Sequence, residues 1–253
     1  MAAAVAPPPT DDRLRDRPGA WVDLGLTLPI FLVYHLAVVF LDVKNATDMV
    51  TGTLLSLSGD RTRYLLATLA IGVIFAGTFA LAGRGQAFRP RKFIQIAIEG
   101  VVYAVLMRLA GAYVVGAIFA GPIQQEGRVV GFVMSLGAGF YEELSFRVIL
   151  FGLGAKVLVW LFGHQRVDLM GTSVVGARGS LRSLAVMAGW SLVCAVVFSG
   201  FHYIGPMADA FQGPSFVFRA VLGLVLTLIY ATRGFAAAVW THALYDVWVL
   251  VFR

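Results

Sequence analysis

The chain has 253 residues, 59% of them hydrophobic and 13% charged, with a mean hydropathy of +0.82. A soluble domain carries about 25% charged residues, so this composition excludes a water-soluble globular protein and describes an all-α membrane bundle whose spans use about 20 residues each. The net charge of +6 is not gathered into a basic stripe interleaved with aromatics, which excludes nucleic acid as a partner and leaves acidic headgroups of the lipid bilayer as the counter-charge.

Residues 1–20, "MAAAVAPPPTDDRLRDRPGA", are polar and Pro-rich, and a disordered tail is expected there. They lack an apolar core behind a basic start, so they do not read as a cleaved signal peptide. Residues 21–253 form one transmembrane domain, with Trp21 as an interfacial anchor. Hydropathy predicts spans over Leu24–Leu41, Tyr64–Leu81, Phe93–Ala120, Val129–Phe151, Leu184–Ile204, Phe216–Ala231 and Phe235–Phe252. An eighth apolar stretch, "AKVLVWLFG" from Ala155, is short for a span and fits a tilted, re-entrant or interfacial helix. A bundle of seven or eight helices follows. The excess of Arg and Lys over the loops puts the N-terminus in the cytoplasm with either number, and "GRGQAFRPRKF" reads as a cytoplasmic loop. Cys194, the single cysteine, lies in an apolar run and reads as a small packing residue.

The fourth span contains "GFYEELSFRVILFG" from Gly139, two carboxylates and an arginine in an apolar run. At about 100° per residue, Gly131, Ser135, Ala138, Gly139 and Glu142 share one face. That face suits close helix packing or a cavity wall. Val133, Phe140 and Leu144 occupy the other side, suited to lipid or bulky packing. Glu143 lies one step round from Glu142 and four residues before Arg147, the favourable order for an ion pair along a helix. Glu142 has no partner within its own turn, and a desolvated, unpaired glutamate is what a general base near neutral pH requires.

Two further spans carry ionisable groups. "VFSGFHYIGP" spaces Phe198 and His202 four apart, with Ser191, Ala195 and Ser199 on the histidine's face. "AAAVWTHALYDVW" puts His242 and Asp246 four apart on one face. Ionisable residues inside a membrane are functional candidates by default, and Glu142, His202, His242 and Asp246 would be costly to bury separately. Convergence in one wet cavity is expected. Glu143 and Arg147 read as structural support, as do His35, Glu99 and Arg108; the last two point to opposite sides of their helix and do not pair. His164 lies in a polar loop and carries no assignment.

"EELSFR" at 142–147, "FSGFH" at 198–202 and "HALYD" at 242–246 resemble, in order, the three motifs of the CAAX-protease and bacteriocin-processing family of intramembrane proteases. The resemblance covers about residues 129–252. It implies that Glu142 and His202 activate a water for attack on a peptide carbonyl. His242 and Asp246 would bind the developing oxyanion or complete the site, with Glu143, Arg147 and Phe198 supporting it. Glu142, His202, His242 and Asp246 could also hold Zn²⁺ with a position open for water. A metal-free glutamate mechanism is slightly favoured, because no helix offers a two-His metal face. The chain departs from the pattern in its long connection from Arg147 to His202, which contains "GHQRVDLMGTSVVGARGSLRS". It departs again at Asp246, where the prenyl-protein-processing branch carries Asn; Asp is a poorer oxyanion donor unless protonated.

The expected function is therefore a membrane-embedded endopeptidase acting on a membrane-associated peptide or protein. The Ala-, Val-, Gly- and Arg-rich composition points to a bacterial cell membrane. Such a setting favours a bacterial peptide or regulator over a prenylated substrate. The competing classes are a catalytically silent peptide-binding or immunity scaffold, and a proton relay or transporter. Transport is disfavoured because the chain lacks two related halves.

Overall fold

Thr27 and Pro29 divide the first span. In the computed structural model, which describes residues 20–82, 91–116, 127–163, 181–205 and 208–252, α1 (Ala20–Leu26) and α2 (Leu28–Leu41) follow each other directly. Pro29 stands in the first turn of α2, where its missing N–H leaves no helical bond unmade. The Thr27 hydroxyl donates to the Leu24 carbonyl at 2.7 Å. The polar tail before Ala20, the loop 83–90 and most of the insertion, with His164, lie outside the described residues.

A helix that hydropathy did not predict follows. α3 (Met49–Ser58) has its own start and stop signals. Asp48 accepts from the backbone N–H groups of Val50 and Thr51, and Gly59 at φ +76° ends the helix with a bond to the Leu55 carbonyl. Ten residues rise only about 15 Å, half the hydrocarbon core, so α3 is too short to cross. α4 (Arg61–Ala82) and α5 (Arg91–Val115) are the next two long helices. α5 is followed by Gly116 at φ +67°, and residues 117–120 of the predicted span lie outside the described residues.

The fourth span departs furthest from expectation. α6 (Arg128–Gly137) opens into π-helical turns over Ala138–Glu142 and Leu144–Leu153, then closes again as α7 (Gly154–Gly163). The run Arg128–Phe162 is one continuous apolar helix of 35 residues. "AKVLVWLFG" is therefore neither a separate crossing nor a re-entrant hairpin, but the far end of this helix, packed against α8. The Trp190 indole N–H holds the contact by donating to the Leu150 carbonyl at 3.0 Å.

α8 (Leu181–Phe201), α9 (Gly213–Arg233) and α10 (Phe235–Val251) complete the bundle. Among the described residues, five helices are long and apolar enough to cross a membrane, and α10 is a shorter apolar helix. Among the described residues there is no strand. The protein is a polytopic bundle of membrane helices.

α10 is the central element, packed on α5, α6, α9 and the first π segment. The small stripe of the fourth span faces it: a side chain at Gly131 would meet Leu250, and one at Gly139 would meet Ala243 and Val239. Val133 and Phe140, on the opposite face, are buried against α2 and pack with Tyr34, Ile30 and Val38, so that side takes bulky packing and not lipid. Cys194 is a free thiol buried beside Phe151 and Ala155, as a packing residue should be.

Candidate active site

The first π segment brings Glu142 and Glu143 to the face of α10. At α-helical spacing they would diverge by about 100°, and Glu143 was expected to point elsewhere. A π turn holds more residues than an α turn, which narrows that angle, and both carboxylates reach the same imidazole. Glu143 Oε1 accepts from His242 Nδ1 at 2.7 Å. Glu142 Oε2 stands 4.0 Å from His242 Nε2 and 3.9 Å from His202 Nε2.

His202 comes from the turn just beyond α8, which ends at Phe201, not at the predicted Ile204. Its Nδ1 lies 3.0 Å from the Phe198 carbonyl. A carbonyl only accepts, so Nδ1 carries a proton, and Nε2 is the nitrogen turned towards Glu142. The four-residue spacing of Phe198 and His202 thus works through the backbone carbonyl as well as the ring. The Phe198 ring packs edge-on against His202 and His242, with centroids 5.1 and 6.0 Å away.

Asp246 Oδ2 is 3.5 Å from His242 Nε2, one turn further along α10. All four candidate residues meet, with Glu143 as a fifth. Glu142 and His242 are enclosed, whereas the side chains of His202 and Asp246 are 28% and 22% exposed. The approach to the site is therefore from their side.

Beneath it, Arg147 is 1% exposed and Glu143 wholly buried. Arg147 Nε lies 3.1 Å from Glu143 Oε2, close enough for an ion pair but without the alignment of a hydrogen bond. The guanidinium lies instead over the Phe198 ring, 4.2 Å from its centroid. The three expected support residues form one stack.

The remaining intramembrane charges are held elsewhere. Glu99 pairs with Arg233 at 2.8 Å, and Arg108 lies over the Trp248 ring at 4.5 Å, so the two do not pair with each other. His35 hydrogen-bonds to the hydroxyls of Tyr64 and Tyr141 in a wholly buried network.

Asn45, in the loop between α2 and α3, escaped the sequence reading. Its Nδ2 donates to Glu142 Oε1 at 3.0 Å, across 97 positions. The only local signal is "NAT", where Asn45 Oδ1 accepts from both the N–H and the hydroxyl of Thr47, a turn motif that says nothing of a distant glutamate.

Two of the donor separations are wider than a bound zinc ion would set, while His242 Nε2 and Asp246 Oδ2 stand 3.5 Å apart. Tetrahedral zinc with bonds of about 2.1 Å sets its ligand atoms about 3.4 Å apart, whereas Glu142 Oε2 is 3.9 and 4.0 Å from the two histidines. Among the described residues no three His, Cys, Asp or Glu side chains form a metal-holding group.

A buried carboxylate with one oxygen that accepts no hydrogen bond, facing two imidazoles in a bundle of membrane helices, has the arrangement that general-base chemistry requires. Residues 124–248 match the family described as type II CAAX prenyl endopeptidase Rce1-like. The chain carries a domain of this family of CAAX-type membrane endopeptidases, and the matched segment spans all three motifs. No curated protein and no solved structure matches the chain.

Proposed function

We propose that the protein is an intramembrane endopeptidase that hydrolyses a peptide bond of a membrane-associated peptide or protein, with Glu142 as general base. The carrying observation is Glu142 Oε2. It accepts no hydrogen bond among the described residues, yet stands 3.9 and 4.0 Å from the Nε2 atoms of His202 and His242. That separation is too long for a direct hydrogen bond and suits one water bonded to Glu142 and an imidazole together.

In this reading Glu142 takes the proton as the water oxygen attacks the carbonyl carbon, and His202 Nε2 orients that water. The carbonyl π electrons move to oxygen, giving a tetrahedral oxyanion. His242 in its doubly protonated form offers Nε2–H to the oxyanion, while Nδ1–H stays on Glu143. Asp246 balances that charge from one turn away. Glu142 then returns its proton to the departing amine as the C–N bond breaks. No step requires a metal. A bacterial membrane peptide remains the favoured substrate, and a cell membrane with the N-terminus inside the favoured location.

The test compares membrane-protein termini by mass spectrometry in cells making the wild type or Glu142→Gln. Termini gained only with the wild type identify both the activity and its substrate. Identical termini, with both proteins folded and equally abundant, would overturn the proposal in favour of a peptide-binding scaffold.

A further inference from the structure

The two oxygens of Glu142 have different surroundings. Oε2 faces His202 and His242, whereas Oε1 accepts from Asn45 Nδ2 at 3.0 Å. Asn45 is 6% exposed and held from three directions. Its backbone N–H donates to the Tyr34 hydroxyl at 3.0 Å, and that hydroxyl donates to Asp48 Oδ2 at 2.7 Å. Its Oδ1 accepts from the Thr47 N–H at 2.9 Å and from the Thr47 hydroxyl at 2.6 Å. A backbone N–H can only donate, so the amide oxygen must face Thr47 and the NH₂ must face Glu142. Asp48 in turn caps α3, which anchors the loop. Tyr34 is wholly buried against the fourth span, at Gly137. The scaffold holding Asn45 is thus part of the same packed core as Glu142.

We infer that Asn45 is a positioning residue: its carboxamide fixes Glu142 Oε1 and thereby aims Oε2 at the histidine pair. Asn45 lies outside the matched segment 124–248, so a residue from another part of the chain completes the site. The inference rests on Glu142 being the base. Without Asn45, Oε1 would be a buried acceptor with no partner, and rotation about the last side-chain bond would exchange the two oxygens. Glu142 would keep its place in the helix and lose its aim.

The two ends of the carboxamide make the role separable. Asn45→Asp keeps an oxygen for Thr47 and loses the donor to Glu142. Asn45→Ser also keeps an oxygen but is too short to replace the carboxamide, and adds no charge. The probe is a quenched fluorescent peptide spanning the bond at a terminus gained by the wild type over Glu142→Gln, assayed with purified full-length protein in detergent micelles. Either variant should lower kcat by about 100-fold, the scale of a misplacement of about 1 Å. KM should stay within about twofold, and the thermal unfolding midpoint of Asn45→Ser should stay close to the wild type. Full kcat in Asn45→Ser would overturn the inference, as would a fall in kcat that merely follows a lowered unfolding midpoint and a raised KM. Absence of any wild-type-specific terminus would remove the base itself, and this inference with it. Cleavage by the wild type with undiminished cleavage by Asn45→Ser would remove only Asn45.

Discussion

Glu143 uses its two oxygens for two different elements. Oε1 fixes His242 on α10 and Oε2 faces Arg147 one turn along its own helix. Removing it leaves a guanidinium that is 1% exposed without its counter-charge, and Glu143→Ala should lower stability by about 3–5 kcal/mol, read as a fall in the unfolding midpoint in detergent. Replacing both members, Glu143→Leu with Arg147→Met, removes the stranded charge and should recover most of that loss. The double variant should nevertheless cleave poorly, because His242 Nδ1 has lost its acceptor. Recovery of full cleavage together with stability would mean that Glu143 serves only the ion pair. At this scale the sequence was informative where chemistry is concentrated. Glu142, His202, His242 and Asp246 stand out as ionisable groups in apolar helices at helical spacing. Glu143 was legible as the partner of Arg147 but not of His242, since that bond depends on how two distant helices face one another. Asn45 was illegible for a plainer reason: a polar residue in a polar loop carries no excess of cost to draw attention.

Among the elements, the first π segment and α10 meet through Gly139. An ideal side-chain carbon there would lie 2.6 Å from the Ala243 Cβ and 2.9 Å from the Val239 carbonyl oxygen. The backbones must separate to admit it, and Glu142 would be drawn away from His242 three residues later. Gly139→Ala should therefore reduce both cleavage and the unfolding midpoint. Gly189, in α8, has nothing within 4 Å of the same position. Gly189→Ala should leave cleavage unchanged and raise stability by about 0.4–1 kcal/mol through the unfolded chain. Equal behaviour of the two variants would refute the close contact. The small-residue stripe was readable as a packing face because an α-helix and a π-helix both bring residues three to five apart onto neighbouring positions. The π turns themselves were not. The choice between bonds four and five residues back is made by tertiary packing, and nothing in "AGFYEELSFRVILFGL" declares it. α3 is too short to show as a span in hydropathy, although its Asp48 and Gly59 boundaries lie in plain view in the sequence.

Across the whole molecule, the beginning of the bundle holds its end. Asp23 in α1 accepts from the N–H groups of Phe235 and Ala236, at 2.5 and 2.9 Å, and so caps α10 from more than 200 residues away. The Trp240 indole adds a bond to the Leu26 carbonyl at 2.9 Å. Asp23→Ala should lower stability by about 1–2 kcal/mol, the range of a lost helix cap, with the loss visible in the unfolding midpoint even though the residue lies far from Glu142 in sequence. An unchanged midpoint would show that α10 is secured without the cap. Hydropathy predicted nearly every long helix, but which helices touch depends on polar bonds such as these, whose partners leave no mark at separations of this size. The same bond has a consequence for timing. A ribosome delivers α1 more than 200 residues before α10, so Asp23 waits for these two donors until α10 has been threaded into the bilayer. His242 and Asp246 arrive on that same helix. A chain still being synthesised thus holds Glu142 and His202 before the residues that face them, and the site stays incomplete until α10 is in place.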